Sequence, residues 1–274
     1  SGNQTHQVMQ GIIDIRVSNT IPRVNKIFQS SLSRVFFPTE HDSKVLNCIL
    51  VNQAGGIHEN DKFKNKITLS KQTHFKFTSQ AAEKIYFSHK NYSIINNNFC
   101  ISEKSHFSYL PQELIFFNQS KLKKNNLIHL DEESSFLLVE QFVMGREFFK
   151  EKIKKIFFED ITKIFVNNKI AYTDQSIIDD MGKFYQFNLL ASQPQSFANI
   201  IFYKKNIKNL NLSINKFFPD KNFYGYSYPS SSLLICKFID NNTLQLKLKL
   251  FDLINYLAKK VIKKKDYLNK NMYF

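Results

Sequence analysis

Residues 63–78 read FKNKITLSKQTHFKFT and carry the clearest structural pattern in the chain. From Phe63 to Leu69 every second residue is apolar, apart from Asn65, and the residues between them are lysine or threonine. After the polar residues 70–72 the alternation resumes through Phe75 and Phe77. Successive side chains of a β-strand point to opposite faces, so this spacing predicts strands with one buried face. Two such runs around a three-residue polar break predict a β-hairpin.

The β pattern continues through the first two-thirds of the chain and returns near its end. Runs typical of strands occur at 11–17, 45–51, 107–110, 113–117, 127–130, 136–143, 153–158, 162–166, 169–173, 199–203 and 232–239. Asn167-Asn168 predicts a tight turn between two of these runs. No linker-like change of composition divides the chain, so we expect a single domain over residues 1–274.

Helical spacing is confined to the C-terminal third. Residues 177–190 show it in part, and a helix is predicted at about 243–265, with Thr243 as its N-cap. The apolar face of that helix has the spacing i, i+3, i+4, i+7, i+11 at Leu250, Leu253, Ile254, Leu257 and Val261. We therefore predict a mainly β fold with a few α-helices in the C-terminal third.

The basic charge of the chain leaves a nucleic-acid partner open. The 274 residues have a net charge of +15, and of 38 basic residues only four are arginine. A surface that reads phosphates is expected to use arginine freely, because its guanidinium binds them bidentately. An A/T-rich genome also produces a lysine excess without any selected partner. The alternative function that rests on charge is a basic, β-rich nucleic-acid-binding module.

Several other classes lack their usual signatures. Cys48, Cys100 and Cys236 fit neither a disulfide framework nor a zinc pattern, which favours reduced thiols in a cytoplasmic protein. The apolar runs are far shorter than the ~20 residues of a membrane span, and no secretory signal opens the sequence. The chain contains no nucleophile elbow, phosphate-binding loop, HExxH or dinucleotide fingerprint. The residues therefore offer no motif in support of an enzyme, and a hydrolase with carboxylates from distant strands stays open.

Four segments differ from ordinary strand sequence. The first is the loop AGGIHEND at 54–61, whose paired glycines favour positive φ or close backbone approach, and the second is TSQAAEKIY at 78–86. The third is LPQE at 110–113. The fourth consists of Glu140, Gly145-Arg146 and Glu151. Their order and spacing are more informative than any one of them.

In this order the four segments resemble the UreD (UreH) family of urease accessory proteins, most strongly over residues 32–174. Asn60 stands where the family usually has a glycine before the loop aspartate, and Lys150 where it has a glycine before the last glutamate. Asparagine tolerates a left-handed backbone, so the turn at Asn60 is expected to survive. Lys237 stands where the family usually has an arginine in its last strand. A guanidinium that can bind bidentately is thus replaced by the single charge of an ammonium group.

The resemblance implies a two-layered, helically wound β scaffold that does no catalysis itself. It implies docking on apo-urease together with UreF and the GTPase UreG, in a higher-order complex with two copies, and help with nickel insertion in the cytoplasm. Neither nucleic acid nor a membrane is an expected partner.

A conduit must hold nickel weakly, because a closed Cys/His site would trap the ion, and no cofactor is expected to be tightly bound. The predicted path carboxylates are Asp61, Glu83, Glu140 and Glu151. Gly55 and Gly56 are assigned to loop shape, Gln80 to water orientation and Arg146 to ion pairing with a glutamate. The other structural motif residues are Pro111, Gln112 and Gly145. A structural ion pair is an equally good interpretation for Glu140 and Glu151.

Overall fold

The computed structural model describes residues 9–20, 23–38, 44–145, 153–182, 195–217, 224–265 and 267–268. These residues form two large β-sheets, so the mainly β expectation is confirmed. Sheet A contains, in spatial order, β14 (Lys169–Ile178), β13 (Phe157–Val166), β11 (Lys121–Leu130), β8 (Ser93–Ile101), β5 (Lys62–Leu69), β1 (Gln10–Val17) and β2 (Val24–Ser31).

Sheet B lies opposite and has a similar mixture of parallel and antiparallel strands. Its spatial order is β16 (Tyr224–Ser230), β17 (Leu233–Asp240), β15 (Ser196–Lys204), β12 (Ser135–Met144), β9 (His106–Leu110), β6 (His74–Ser79), β4 (Leu46–Asn52) and β3 (Ser33–Phe36). Two short strands, β7 (Glu83–Ile85) and β10 (Leu114–Phe116), pair with each other, and β10 also pairs with the end of β12. Strands β2, β3, β8 and β16 are not among the sequence predictions, whereas β7 lies within the segment at 78–86, which the resemblance identifies as a strand.

The chain winds between the two sheets as a helical scaffold. β5, β8 and β11 lie side by side and parallel in sheet A, while β6, β9 and β12 do the same in sheet B. Strands β5 and β6 are therefore not hydrogen-bonded to each other, and the predicted hairpin at 63–78 is wrong. The polar residues 70–72 carry the chain from one sheet to the other instead. Strands β13 and β14 do form a hairpin, and the turn predicted at Asn167 (φ 48°) and Asn168 (φ 62°) is confirmed.

The space between the sheets is filled mainly by aromatic and aliphatic side chains. Phe75, Phe99, Phe107 and Phe136 are all fully buried there, with the rings of Phe99 and Phe107 4.7 Å apart. Alternate positions of parallel strands stack in columns because the strands are in register. The alternation that the sequence shows thus becomes a mainly apolar interior.

One interior column is polar and forms an amide ladder across sheet A. Asn65 Nδ2 donates to Asn97 Oδ1 at 2.9 Å, and Asn97 Nδ2 donates to Asn126 Oδ1 at 2.7 Å. Asn126 Nδ2 then donates to Thr162 Oγ1 at 3.1 Å. All four side chains are buried, and each lies on a different coil of the scaffold. Buried amides are tolerated here because the neighbouring coil supplies their hydrogen-bond partners.

A third layer covers the outer face of sheet B. Helix α1 (Thr243–Leu257) packs there through Leu246, Leu250 and Leu253, and it continues as a π-helical turn, Ala258–Ile262. The helix is confirmed, but its N-cap is Asn242, whose side chain accepts the Gln245 N–H at 2.9 Å, and not Thr243. Two 3₁₀ turns, Ile207–Leu210 and Ile214–Phe217, precede it.

The other predicted helical stretch is only partly described. Residues 177 and 178 end strand β14 and residues 183–190 lie outside the described residues. None of the helices in the described ranges has the length and apolar content that crossing a membrane requires.

Below α1, the same outer face buries a histidine. His106 Nδ1 lies 2.7 Å from Ser135 Oγ, and its Nε2 lies 2.8 Å from Ser108 Oγ. Tyr267 covers this group and donates its hydroxyl hydrogen to Ser108 Oγ at 2.8 Å. Burial, and then the nearby His74, lower the pKa of His106 to about 3, so the ring is neutral at pH 7.

Candidate functional site

A cavity of about 50 Å³ lies between the sheets, beside the short strands β7 and β10. One water molecule needs ~10–15 Å³ of such space, so the cavity has room for several. Its walls carry ionisable and amide groups, among them Glu83, Tyr109, Gln112, Lys124 and Glu140. Two of the predicted path carboxylates, Glu83 and Glu140, therefore face the same cavity although they are far apart in sequence.

A buried ion cluster forms one wall. Lys124 Nζ lies 2.5 Å from Oε1 of Glu140 and 3.1 Å from Oδ1 of Asp160, and the three side chains are 2–7% exposed. Lys124 and Asp160 are register partners on β11 and β13, whereas Glu140 comes from β12 in the opposite sheet. Burial raises the pKa of Glu140, and the ammonium only partly opposes this. Burial acts to lower the pKa of Lys124, but Asp160 and Glu140 outweigh it and the pKa is raised.

Glu83 connects the cavity to the glycine loop. Its Oε2 accepts a 2.9 Å hydrogen bond from Asn52 Nδ2, which also donates to the Gly56 carbonyl at 3.2 Å. Burial raises the pKa of Glu83, and the Asn52 hydrogen bond acts in the opposite direction. Asn52 therefore holds both the carboxylate and the loop in place.

The loop itself has the backbone conformations that its residues favour. Gly55 and Asn60 both have φ of 69°, so the asparagine adopts the left-handed turn predicted for it. Gly56 has φ of 153°, and a Cβ at this position would lie 2.3 Å from the Tyr86 ring. The second glycine is therefore required both by φ and by close packing.

Asp61 lies at the end of this loop and does not line the cavity. The side chain is fully buried, and its carboxylate accepts backbone hydrogen bonds from Met9 at 3.1 Å and His58 at 2.9 Å. These contacts tie the loop to the start of the described chain. They favour a structural contribution from Asp61.

The Leu-Pro-Gln segment joins the cavity to helix α1. The Gln112 backbone N–H donates to Ser79 Oγ at 2.8 Å, and its side-chain Oε1 accepts from Lys247 Nζ at 2.7 Å. Lys247 also forms an ion pair with Glu113 at 2.8 Å. Pro111 and Gln112 line the cavity, so Lys247 of helix α1 is connected to the cavity through its hydrogen bond to Gln112.

The other motif residues lie elsewhere. Gln80 is exposed in the turn between β6 and β7, so the segment at 78–86 is not one continuous strand, and Gly145 ends β12 with φ of 77°. Arg146, Lys150 and Glu151 lie outside the described residues. Lys237 Nζ contacts both oxygens of Asp174, at 3.0 and 3.3 Å, which links β17 of sheet B to β14 of sheet A.

Sequence reasoning missed the polar residues that complete the site. Asn52, Tyr109, Lys124 and Asp160 belong to no motif, and Lys124 lies before the predicted strand at 127–130. The spacing held one signal: Lys124 is separated from Ile128 and Leu130 by an even number of positions, so all three share one face of the strand. That signal could be used only once the strand was known to begin before Lys124. Among the described residues, no three His, Cys, Asp or Glu side chains converge to hold a metal ion.

Comparisons with known proteins agree with the motif order. The model of the UreD urease accessory protein family matches residues 10–271. Urease accessory protein UreD of Rhodopseudomonas palustris strain BisB5 is 30% identical over 166 residues, which is 61% of this chain and 58% of the relative. The protein of the same name from strain HaA2 is 30% identical over 183 residues, 66% of this chain and 64% of the relative. That of Rhizobium leguminosarum bv. viciae is 25% identical over 158 residues, 58% of each chain. The matched part thus spans about three fifths of these relatives.

Proposed function

Because the chain belongs to the UreD family of urease accessory proteins, we propose that it assists the insertion of nickel into apo-urease. In this proposal it is a non-enzymatic cytoplasmic scaffold that works with UreF and the GTPase UreG. Two copies take part in one assembly docked on urease. Nickel is cargo that passes through the protein, and no cofactor stays bound.

The observation that carries the proposal is the polar cavity between the two β-sheets, with two motif carboxylates in its walls. Glu83 and Glu140 come from two of the four family motifs and line this one cavity, which the Gln112 amide also faces. Oxygen ligands without a closed set of thiolates or imidazoles bind a late transition metal weakly. A cavity of this composition suits an ion that must leave again.

The protonation of the two glutamates further weakens nickel binding in the cavity. Burial raises the pKa of both Glu83 and Glu140 above the ordinary value of 4.5. A carboxyl group must lose its proton before it can ligate a metal, so binding is weaker and depends on pH. Nickel uptake and proton release are therefore coupled in the proposed path.

Asp61 and Glu151 stay predictions as path carboxylates, Gln80 as a residue that orients water and Arg146 as an ion-pair partner. The hydrogen bonds of Asp61 to two backbone N–H groups support a contribution to the loop at 54–61, next to Glu83. We propose that Gly55 and Gly56 shape this loop, as their backbone angles require.

The test is coexpression of the chain with the urease subunits and the other accessory proteins from its own source. Omitting the chain is expected to abolish urease activation and nickel loading. Glu83→Gln and Glu140→Gln are expected to reduce nickel content while the partners still copurify. Glu103→Gln is the matched control, because Glu103 is a partly exposed carboxylate that pairs with Lys71 on a turn away from the cavity. Unchanged nickel content without the chain would refute the proposal.

The nucleic-acid alternative retains only the net charge of +15 as support. Salt-sensitive binding that prefers one nucleic acid over random competitor would favour it. Weak, indiscriminate retention would reflect the lysine excess alone.

A further inference from the structure

Lys124 is a buried cation in the wall of the cavity. Its side chain is 2% exposed, and its ammonium lies between carboxylates of Glu140 and Asp160. An isolated buried charge is strongly unfavourable, so the ammonium and the carboxylates need one another. With both carboxylates ionised, the cluster retains one net negative charge.

Glu140 has a contact that marks this place as a cation position. Its Oε1 is buried and lies 2.5 Å from the Lys124 ammonium, and the Asn126 side chain also hydrogen-bonds to the carboxylate. Lys124 and Asp160 are register neighbours in sheet A, while Glu140 reaches them from sheet B. The two sheets are therefore joined here through a positive ion.

We propose that Lys124 is a resident internal cation that keeps the Glu140–Asp160 pair closed, and that a divalent cation enters the pair only when the ammonium moves into the cavity. The identity of that cation as nickel rests on the proposed function. The proposal that Lys124 controls cation entry depends only on the ion cluster and the cavity.

The exchange is favourable in charge and possible in space. With Glu83, Glu140 and Asp160 ionised, the three carboxylates and the ammonium carry a net charge of −2, and a divalent ion brings that sum to zero. Lysine has a flexible four-carbon stem, and the cavity that it lines also presents the Glu83 carboxylate. Lys124 therefore has both room to move and a second anionic group facing the space that it would enter.

The first experiment compares Lys124→Met with Lys123→Met in the full-length chain by titration calorimetry with Ni²⁺ alone. Lys123 is the matched control, because it lies on the same strand, faces outward and pairs with Glu159. Lys124→Met is expected to gain one Ni²⁺ site at least about tenfold tighter than any in Lys123→Met, since a nearby like charge no longer repels the ion. Adding Glu140→Gln is expected to remove that site. Equal Ni²⁺ binding by the two lysine variants would overturn the proposal.

The second experiment uses the wild-type chain, so it stands even where Lys124→Met does not fold. Reductive methylation, followed residue by residue by mass spectrometry, reports the accessibility of each lysine. Ni²⁺ is expected to increase the labelling of Lys124 at least about twofold, but not that of Lys123, because an ammonium released from its two carboxylates into the cavity reacts more readily with the small reagent. Unchanged labelling of Lys124 at saturating Ni²⁺ would refute the gate. Neither experiment contains urease, so a chain dispensable for activation would refute the proposed function without touching this result.

Discussion

Replacing Asn97 by alanine tests whether the buried amide ladder holds the coils of the scaffold together. Asn97 accepts from Asn65 and donates to Asn126, so the change removes two amide–amide hydrogen bonds, together with the 3.5 Å bond from Asn97 to the Tyr109 hydroxyl. It also leaves an amide hydrogen of Asn65 and the amide oxygen of Asn126 without these partners in a buried column. Removing one partner of a buried hydrogen bond costs about 1–3 kcal/mol for each group left behind.

The sum predicts that Asn97→Ala lowers the free energy of unfolding by about 2–6 kcal/mol. The position of the cavity narrows this range. Asn65 lines the cavity, so water that enters there can hydrate its amide, whereas Asn126 does not line it. We therefore expect the loss to lie in the lower half, at about 2–4 kcal/mol.

Urea denaturation of the full-length chain, followed by circular dichroism, measures the effect. Asn96→Ala is the matched control, because Asn96 is the preceding residue on the same strand, faces outward and accepts a 3.0 Å bond from Asn125. Water replaces that bond at the surface, so the control is expected to lose less than about 1 kcal/mol. An equal decrease in the free energy of unfolding for Asn97→Ala and Asn96→Ala would refute the claim that the ladder stabilises the fold because it is buried.

Three further substitutions test the loop at 54–61 and the pH dependence of stability that the buried His106 predicts. Gly56→Ala places a methyl group against Tyr86 in a strained backbone and is expected to cost about 1–3 kcal/mol, measured as a lower urea midpoint; wild-type stability would contradict the close packing. Asp61→Asn is expected to cost about 1.5–3 kcal/mol through its backbone hydrogen bonds; unchanged stability with lost urease activation would make Asp61 a path residue instead. Because the pKa of His106 falls from 6.5 to about 3 on folding, only the unfolded chain takes up this proton between those values. The free energy of unfolding should then fall by ~1.4 kcal/mol for each pH unit below 6.5. His106→Asn is expected to lose this part of the pH dependence in urea titrations at pH 6.5 and 5, and an unchanged slope would show that His106 is not its source.

Local alternation was sufficient for the strands but not for their pairing. The pattern around residues 70–72 predicts two strands with buried faces, and β5 and β6 both exist. A hairpin turn and a connection between two sheets have the same sequence pattern, because both need a few polar residues between two alternating runs. The actual partners of β5 are β1 and β8, which are distant in sequence.

The candidate site was predictable where the motifs themselves reach the cavity. Glu83, Glu140, Pro111 and Gln112 were named from sequence and all line it. Asp61 was named with them, but its carboxylate is turned to backbone N–H groups of the loop and chain start. The residue type alone does not distinguish a carboxylate that binds a cation from one that caps a loop, since both tasks need the same oxygen atoms.

The amino-acid order by itself determined the β class, the late amphipathic helix, the left-handed turn at Asn60 and the family. Each of these depends on local spacing or on a motif that is continuous in the chain. Only the tertiary structure decided that the strands wind between two sheets, and that Lys124, Glu140 and Asp160 meet inside them. These contacts depend on the register between coils, which is set by the packing of the whole interior and has no local signature in the sequence.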